Sequence, residues 1–368
     1  MNDNENNDSS QADEPIEPDQ IKDETPTASP QPTGPAVSST VGNPSANHPP
    51  FKDRITGLIV FGILQIFMGG CCVLLIPLML LSQYVAPAAG TQMNVRMLVP
   101  MIGMYAFLAV VLIWLGVGSI LARRWARALT LVLAWTWLVI GILAMIMIVS
   151  WGPNLFNMAG QDQQVPKEML VFMQVVMTGT IGCMYLFLPG IFVFFYQSKH
   201  VKATCEQRDP HVRWTDKCPL PVLAMSLMLG YGSLSFFYSA SYGFVTPFFG
   251  ILLKGIPGGI VMLPFTLLSA YLAWATYQLK IAAWWTTLAV YVTFGVSGII
   301  TFSRIDLMDL YREMNMPEDQ LKFIEKSGMI DRMNMPLIFG MSFVVFVGYL
   351  LWVRRYFIAS SDESRREN

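Results

Sequence analysis

Two imidazoles and two thiols fall within nineteen residues at the middle of the chain. They are His200, Cys205, His211 and Cys218, inside the polar run Lys199 to Leu220, KHVKATCEQRDPHVRWTDKCPL. Zinc takes four such ligands in a tetrahedron, so these four are the metal candidates. Structural zinc ligands usually arrive as close pairs on tight turns, whereas these are strung out at intervals of five, six and seven residues. A Cys205 to Cys218 disulfide is the other available chemistry, and a reducing cytosolic setting disfavours it. The same residues also serve as a plain linker. Asp209 and Pro210 make a turn, Trp214 anchors at a membrane interface, and Pro219 and Pro221 open the next helix, whose first turn tolerates proline. The linker reading is preferred, and no metal or cofactor is expected.

A second concentration of charge is LARRWAR, Leu121 to Arg127, with Arg123, Arg124 and Arg127 around Trp125. Three arginines beside a tryptophan suit anionic lipid headgroups. Anchoring of a helix end on the positive side of a membrane accounts for them without a ligand. LARRWARALTLVL resembles the basic-tryptophan hairpins of uncharacterised multi-spanning bacterial membrane proteins, with KIAAWWTTLAV as a degenerate second copy. That resemblance implies a bacterial inner-membrane setting and carries no activity.

Within the apolar runs, Gln65, Gln174 and the group Ser233, Ser235, Tyr238, Ser239 and Ser241 are the polar exceptions. Such groups commonly bond a neighbouring helix. If the protein encloses a cavity, Ser233, Ser235, Tyr238 and Ser239 are the residues expected to line it. No Asp, Glu, Lys, Arg or His stands well inside any run, which speaks against a proton- or sodium-coupled pump. Gly-rich phosphate loops, paired histidines on a helix and Gly-x-Ser-x-Gly elbows are missing. With three histidines, His48, His200 and His211, all outside the runs, the expectation is no enzyme.

The elements that must position these residues are transmembrane helices. Of 368 residues 54% are hydrophobic and 13% charged, far from the quarter charged that is usual in soluble domains. Eight windows are long enough to cross about 30 Å of hydrocarbon: 55–81, 97–122, 128–151, 169–197, 219–241, 258–278, 281–302 and 336–357. Residues 1–50 carry nine acids against Lys22 and no apolar run, and read as a disordered acidic tail. Lys and Arg concentrate in alternate loops, at 52–54, 123–127, 199–217, 280 and 354–355, which predicts both termini and the central segment on the cytoplasmic side.

Pro87 and Pro247, Trp125 and Trp284, and Gly190 and Gly348 recur at offsets of 160, 159 and 158. They suggest two parallel four-helix repeats, 51–198 and 219–358, joined by a bridge at 199–218 and followed by a short polar tail at 359–368. Tyr242 to Gly259, broken by prolines and glycines, reads as an interfacial or re-entrant element. Leu307, Leu310, Tyr311 and Met314 recur at helical spacing, and a second short helix follows Pro317. The expected molecule is an all-α membrane protein of eight spans. It would act through bilayer lipid and protein partners, without nucleic acid, as a structural, accessory or sensory component. A carrier for a small neutral or lipophilic solute, with its path between the halves, is the alternative.

Overall fold

The computed structural model describes residues 52–85, 95–163, 166–314, 316–326 and 335–367. The acidic segment 1–50 and Pro87 lie outside them. Among the described residues eight helices are long and apolar enough to cross a membrane: Ile55–Leu81, Leu98–Ile120, Arg124–Val149, Glu168–Gln197, Leu220–Ser241, Ile256–Tyr277, Ile281–Phe302 and Met335–Ala359. Each matches an expected window to within a few residues, and the chain is a multi-pass helical membrane protein.

α1 (Ile55–Val85) and α2 (Val95–Ile120) pack backbone to backbone. A Cβ on Gly62 would stand 2.7 Å from the carbonyl oxygen of Gly116, and one on Gly116 would stand 2.7 Å from that of Gly62. Lipid tails are as apolar as leucine, so close approach at small residues is what holds such a pair together. α2 ends in a tight turn in which Ala122 N–H donates to Ser119 O and Arg123 N–H to Gly118 O, with Ala122 at φ 50°. This pair of bonds around a left-handed residue is a Schellman motif, normally made by glycine. α3 (Arg124–Gln163) starts at once.

The fourth span is α4 (Lys167–Gly182), a π-helical turn at Cys183–Phe187, and α5 (Leu188–Gln197). Pro189 has no N–H for the carbonyl of Tyr185, four residues earlier, and its ring crowds that oxygen. The helix widens by one residue there, Leu188 N–H reaching back to Cys183 O. The displaced Tyr185 carbonyl presses on α3 at Gly141, where any side chain would overlap it.

α6 (Lys199–Arg208) and a 3₁₀ turn (Trp214–Asp216) make up the central segment. α7 (Leu220–Ser233) and α8 (Ser235–Ser241) form the fifth span, interrupted at Leu234. The broken element after it is a β-hairpin, a departure from an all-α chain: β1 (Thr246–Phe248) and β2 (Ile251–Leu253) pair antiparallel with Phe248 opposite Ile251. Its two-residue turn has Phe249 at φ 43° and Gly250 at φ 92°, the double left-handed geometry that suits hairpin twist. The amides of Phe249 and Gly250 donate to Ser297 Oγ and Thr301 Oγ1, each at 2.9 Å.

α9 (Ile256–Tyr277) and α10 (Ile281–Phe302) are joined by a second Schellman turn, with Leu279 N–H on Thr276 O, Lys280 N–H on Ala275 O, and Leu279 at φ 57°. α11 (Leu307–Glu313) and α12 (Glu318–Lys326) are the two short helices expected in the last loop. α13 (Met335–Glu367) runs as helix beyond residue 358, through the segment expected to be a polar tail.

Buried side chains gather at the end of the bundle that carries the arginines, here the basic end. One cluster contains Leu58, Leu131, Phe192, Tyr196, Val201 and Cys205. The other contains Ala128, Cys218, Leu223, Trp284, Leu350 and Phe357.

Candidate functional site

Asp209 is the C-terminal cap of α6, and its side chain is 1% exposed. A carboxylate so covered needs its lone pairs filled. Arg213 donates to both oxygens, Nε to Oδ2 at 3.1 Å and a terminal nitrogen to Oδ1 at 2.9 Å. The backbone N–H of Arg124, first residue of α3, faces it and favours its charge. Arg123 stands 3.8 Å away. Asp209 thus supplies, from the far side of the fourth span, the carboxylate that the amino terminus of α3 needs. The Arg213 hydrogen bonds, with the other donors, hold its carboxyl below the usual carboxylate range.

Around it the arginines of LARRWAR are turned toward protein. Arg124 pairs with Glu206 at 3.3 Å and Asp216 at 3.4 Å, and Arg127 Nε donates to the carbonyl of Tyr196 at 3.2 Å. Arg123 keeps a 41% exposed side chain and the long contact to Asp209. Arg208 joins Asp53 before α1 at 3.7 Å, and the amides of Lys52 and Arg54 donate to His200 Nδ1 and Thr204 Oγ1. Beneath this lattice the Tyr196 and Ser119 hydroxyls bond each other, and Ser119 Oγ reaches Leu58 O. The central segment is therefore a clamp over the basic ends of α1, α3 and α5.

This arrangement does not gather the four metal candidates. Cys205 lies in the first buried cluster and Cys218 in the second, while His200 and His211 are exposed. Among the described residues no three His, Cys, Asp or Glu side chains are placed to hold a metal ion. Burial pushes both thiols up to about 11, which keeps them protonated at neutral pH, the form that ligates and reacts least. Neither thiol is in a disulfide.

The residues singled out as cavity-lining sit on the fifth span. Ser233 Oγ donates to Gly230 O at 2.6 Å, Tyr238 OH approaches Met104 Sδ at 3.8 Å, and Ser235 Oγ is buried without a partner. The carbonyl of Ser239 accepts from Tyr242 and Phe244. A cavity of about 350 Å³ opens elsewhere, within the second half, between α9, α10 and α13. Phe265, Ser269, Thr287, Phe294, Ser342 and Phe343 contribute to its wall; Ser233, Ser235, Tyr238 and Ser239 do not. Nothing in the sequence marks out Ser269 or Thr287, the latter beside Thr286, because hydroxyls in apolar runs ordinarily bond their own or a neighbouring helix.

No protein-family model, curated protein or solved structure matches the chain. Function must therefore be argued from these two places: a clamp in which charge is spent on the fold, and a hollow whose polar groups are neutral.

α3 and α10 are each anchored near the basic end by a side chain that donates to a backbone carbonyl of another helix. Arg127 on α3 donates to a backbone carbonyl of α5, and Trp284 Nε1 on α10 donates to Leu350 O of α13 at 2.8 Å. Each donor stands five residues past the left-handed residue of its turn, Ala122 or Leu279. The clamp covers the first of these anchors and has the 3₁₀ turn beside the second half, where Tyr277 OH donates to Trp214 O at 2.9 Å.

Proposed function

We propose that this is a non-catalytic component of a bacterial inner membrane, with both termini and the basic end in the cytoplasm, that acts through contacts made by its cytoplasmic clamp with a protein or with lipid. The observation that carries the reading is the fixed presentation of the clamp's outer loop. Ion pairs pin residues on both sides of it, yet Val212 is 68% exposed and Trp214 42% exposed. Rigid apolar groups held outward beside charge are what a contact surface needs, since little ordering entropy remains to be lost on binding. The two halves are proposed to be a parallel repeat in register at their Schellman turns, 157 positions apart, supported by the matching anchors of Arg127 and Trp284.

Photo-cross-linking in native membranes tests this. A benzophenone amino acid at position 212 should give a discrete adduct that disappears when Asp209→Asn releases the clamp. Cross-linking, whether to protein or to lipid, that is the same with and without that substitution would refute it. Orientation is tested separately with an impermeant maleimide: cysteine placed at His211 should react only in inside-out vesicles, and cysteine placed at Ile256, 79% exposed at the opposite end, only in right-side-out ones. The reverse pattern overturns the orientation.

A further inference from the structure

The cavity of the second half is a slot along the helix axes. From Thr287 to Gly295, both in its wall, α10 rises about 12 Å. Near the basic end it is floored by Ser269 and Thr287, which are 4% and 3% exposed. Its walls toward the other end are aromatic, with Phe265 against Phe294 at a ring separation of 4.4 Å and Tyr291 against Phe346 at 3.9 Å. Ser342 is exposed at the mouth. Among the described residues six buried polar atoms lack a hydrogen-bond partner, and Thr287 Oγ1 is the one whose residue lines the slot. Thr286 and Thr293 on the same helix bond their own carbonyls four residues back, so Thr287 departs from its neighbours. A χ1 rotation exchanges its hydroxyl and methyl positions without moving the backbone.

We propose that this slot binds a neutral, single-chain lipophile with one hydroxyl or carbonyl oxygen, seated with that oxygen at Thr287 and Ser269 and its hydrocarbon along Phe265 and Phe294. A buried hydroxyl without a partner is costly, and a ligand oxygen relieves it. Among the described residues no charged side chain lines the slot, so a carboxylate or ammonium head would enter unpaired. The volume lies near the lower limit for small-molecule pockets, about 300 Å³, which suits one chain and excludes a two-chain phospholipid. The inference does not rest on the role proposed for the clamp.

The test uses the full chain in nanodiscs and a diazirine-bearing hexadecanol, with adducts mapped by peptide mass spectrometry. Labelling should saturate, map to α10 and α13 around Phe294 and Phe343, and be displaced by hexadecanol but not by palmitate at neutral pH. Ser342→Phe should abolish it by plugging the mouth, and Thr287→Val should weaken apparent affinity about three- to tenfold, the range of one neutral hydrogen bond. Melting temperatures establish that each variant folds; if Ser342→Phe does not, Thr287→Val decides. Labelling spread over the lipid-facing helices, equal displacement by palmitate, or full affinity in Thr287→Val would overturn the proposal.

Discussion

Replacing Asp209 by Asn should open the clamp and expose Cys205. Asn keeps the size and one acceptor oxygen but loses the charge that faces Arg213, Arg123 and the first amide of α3. Removing one partner of a fully buried ion pair costs about 3–5 kcal/mol. Asp209 is covered, but it lies at the rim of the body: the side chains of Arg213 and Arg123 are 35% and 41% exposed and can rehydrate. That reduces the expected loss to about 1–2 kcal/mol, a factor of about 5–30 in the population of the open clamp. Cys205 is the reporter. It is 1% exposed inside the first cluster, so it reacts only in molecules that have opened. With Cys71, Cys72, Cys183 and Cys218 replaced by Ala, maleimide labelling at low reagent should accelerate about 5- to 30-fold in Asp209→Asn. Asp216→Asn, whose carboxylate is 26% exposed and among the described residues meets the side chain of Arg124 and its own turn, should accelerate it less. Labelling changed less than twofold by Asp209→Asn, or more by Asp216→Asn, would refute the reasoning.

The pH dependence of the same contact has a definite sign. The carboxyl of Asp209 is held below its ordinary value in the fold, so its contribution is fully present above the unfolded value, about 3.9, and is lost as pH falls through the lower folded value. Melting temperatures of the wild type and Asp209→Asn should therefore differ at pH 7 and converge toward pH 3, and parallel curves would sink the assignment. At the π turn, Gly141→Ala should cost about 1–3 kcal/mol in a denaturing-detergent titration, because its methyl meets the Tyr185 carbonyl; a neutral result would mean the helices can part there freely. In the hairpin, Ser297→Ala and Thr301→Ala each remove an acceptor from a tip amide. Each should cost about 1 kcal/mol and speed hydrogen exchange at Phe249 or Gly250, while leaving exchange in the middle of α1 unchanged.

The spans were legible because a run of about twenty apolar residues has few alternatives. The hairpin was not. Hairpin turns announce themselves as Asn-Gly or Asp-Gly, whereas this one is Phe249–Gly250, held in its left-handed geometry by hydroxyls 48 and 51 residues away. For the same reason the sequence shows Asp209 as no more than a turn former beside Pro210. Its larger role, closing the amino terminus of α3, depends on the fourth span returning the chain to that place. The widened turn before Pro189 was not legible either, since Pro77, Pro100 and Pro264 also lie inside apolar helices and are accommodated there without a π turn. Residue types alone collected His200, Cys205, His211 and Cys218. Folding then sent the two thiols into different clusters, Cys205 with Leu58, Phe192 and Tyr196 and Cys218 with Leu223, Trp284 and Phe357.

Trp125 and Trp284, paired in the sequence by residue identity, make different contacts: Trp125 stacks on Trp114 at 4.3 Å, and Trp284 donates to Leu350 O. Arg127 and Trp284 each stand five residues past the left-handed residue of a turn, and each donates to a backbone carbonyl with different chemistry. At the basic end the first half is therefore held largely by charge, through Asp209, Glu206 and Asp216, and the second by an indole buried to 1% with Arg354 over its ring at 5.4 Å. Salt should tell them apart. Between about 0.01 M and 1 M the screening length falls from about 30 Å to about 3 Å, which weakens half-exposed ion pairs and leaves a buried indole hydrogen bond nearly untouched. Single-cysteine proteins retaining Cys205 or Cys218 give one reporter in each cluster. Maleimide labelling of Cys205 should accelerate several-fold over that range of sodium chloride, and labelling of Cys218 should hold within about twofold. Equal acceleration at both would mean that the clamp and the second half open as one unit, and that the different anchors do not divide the basic end into two.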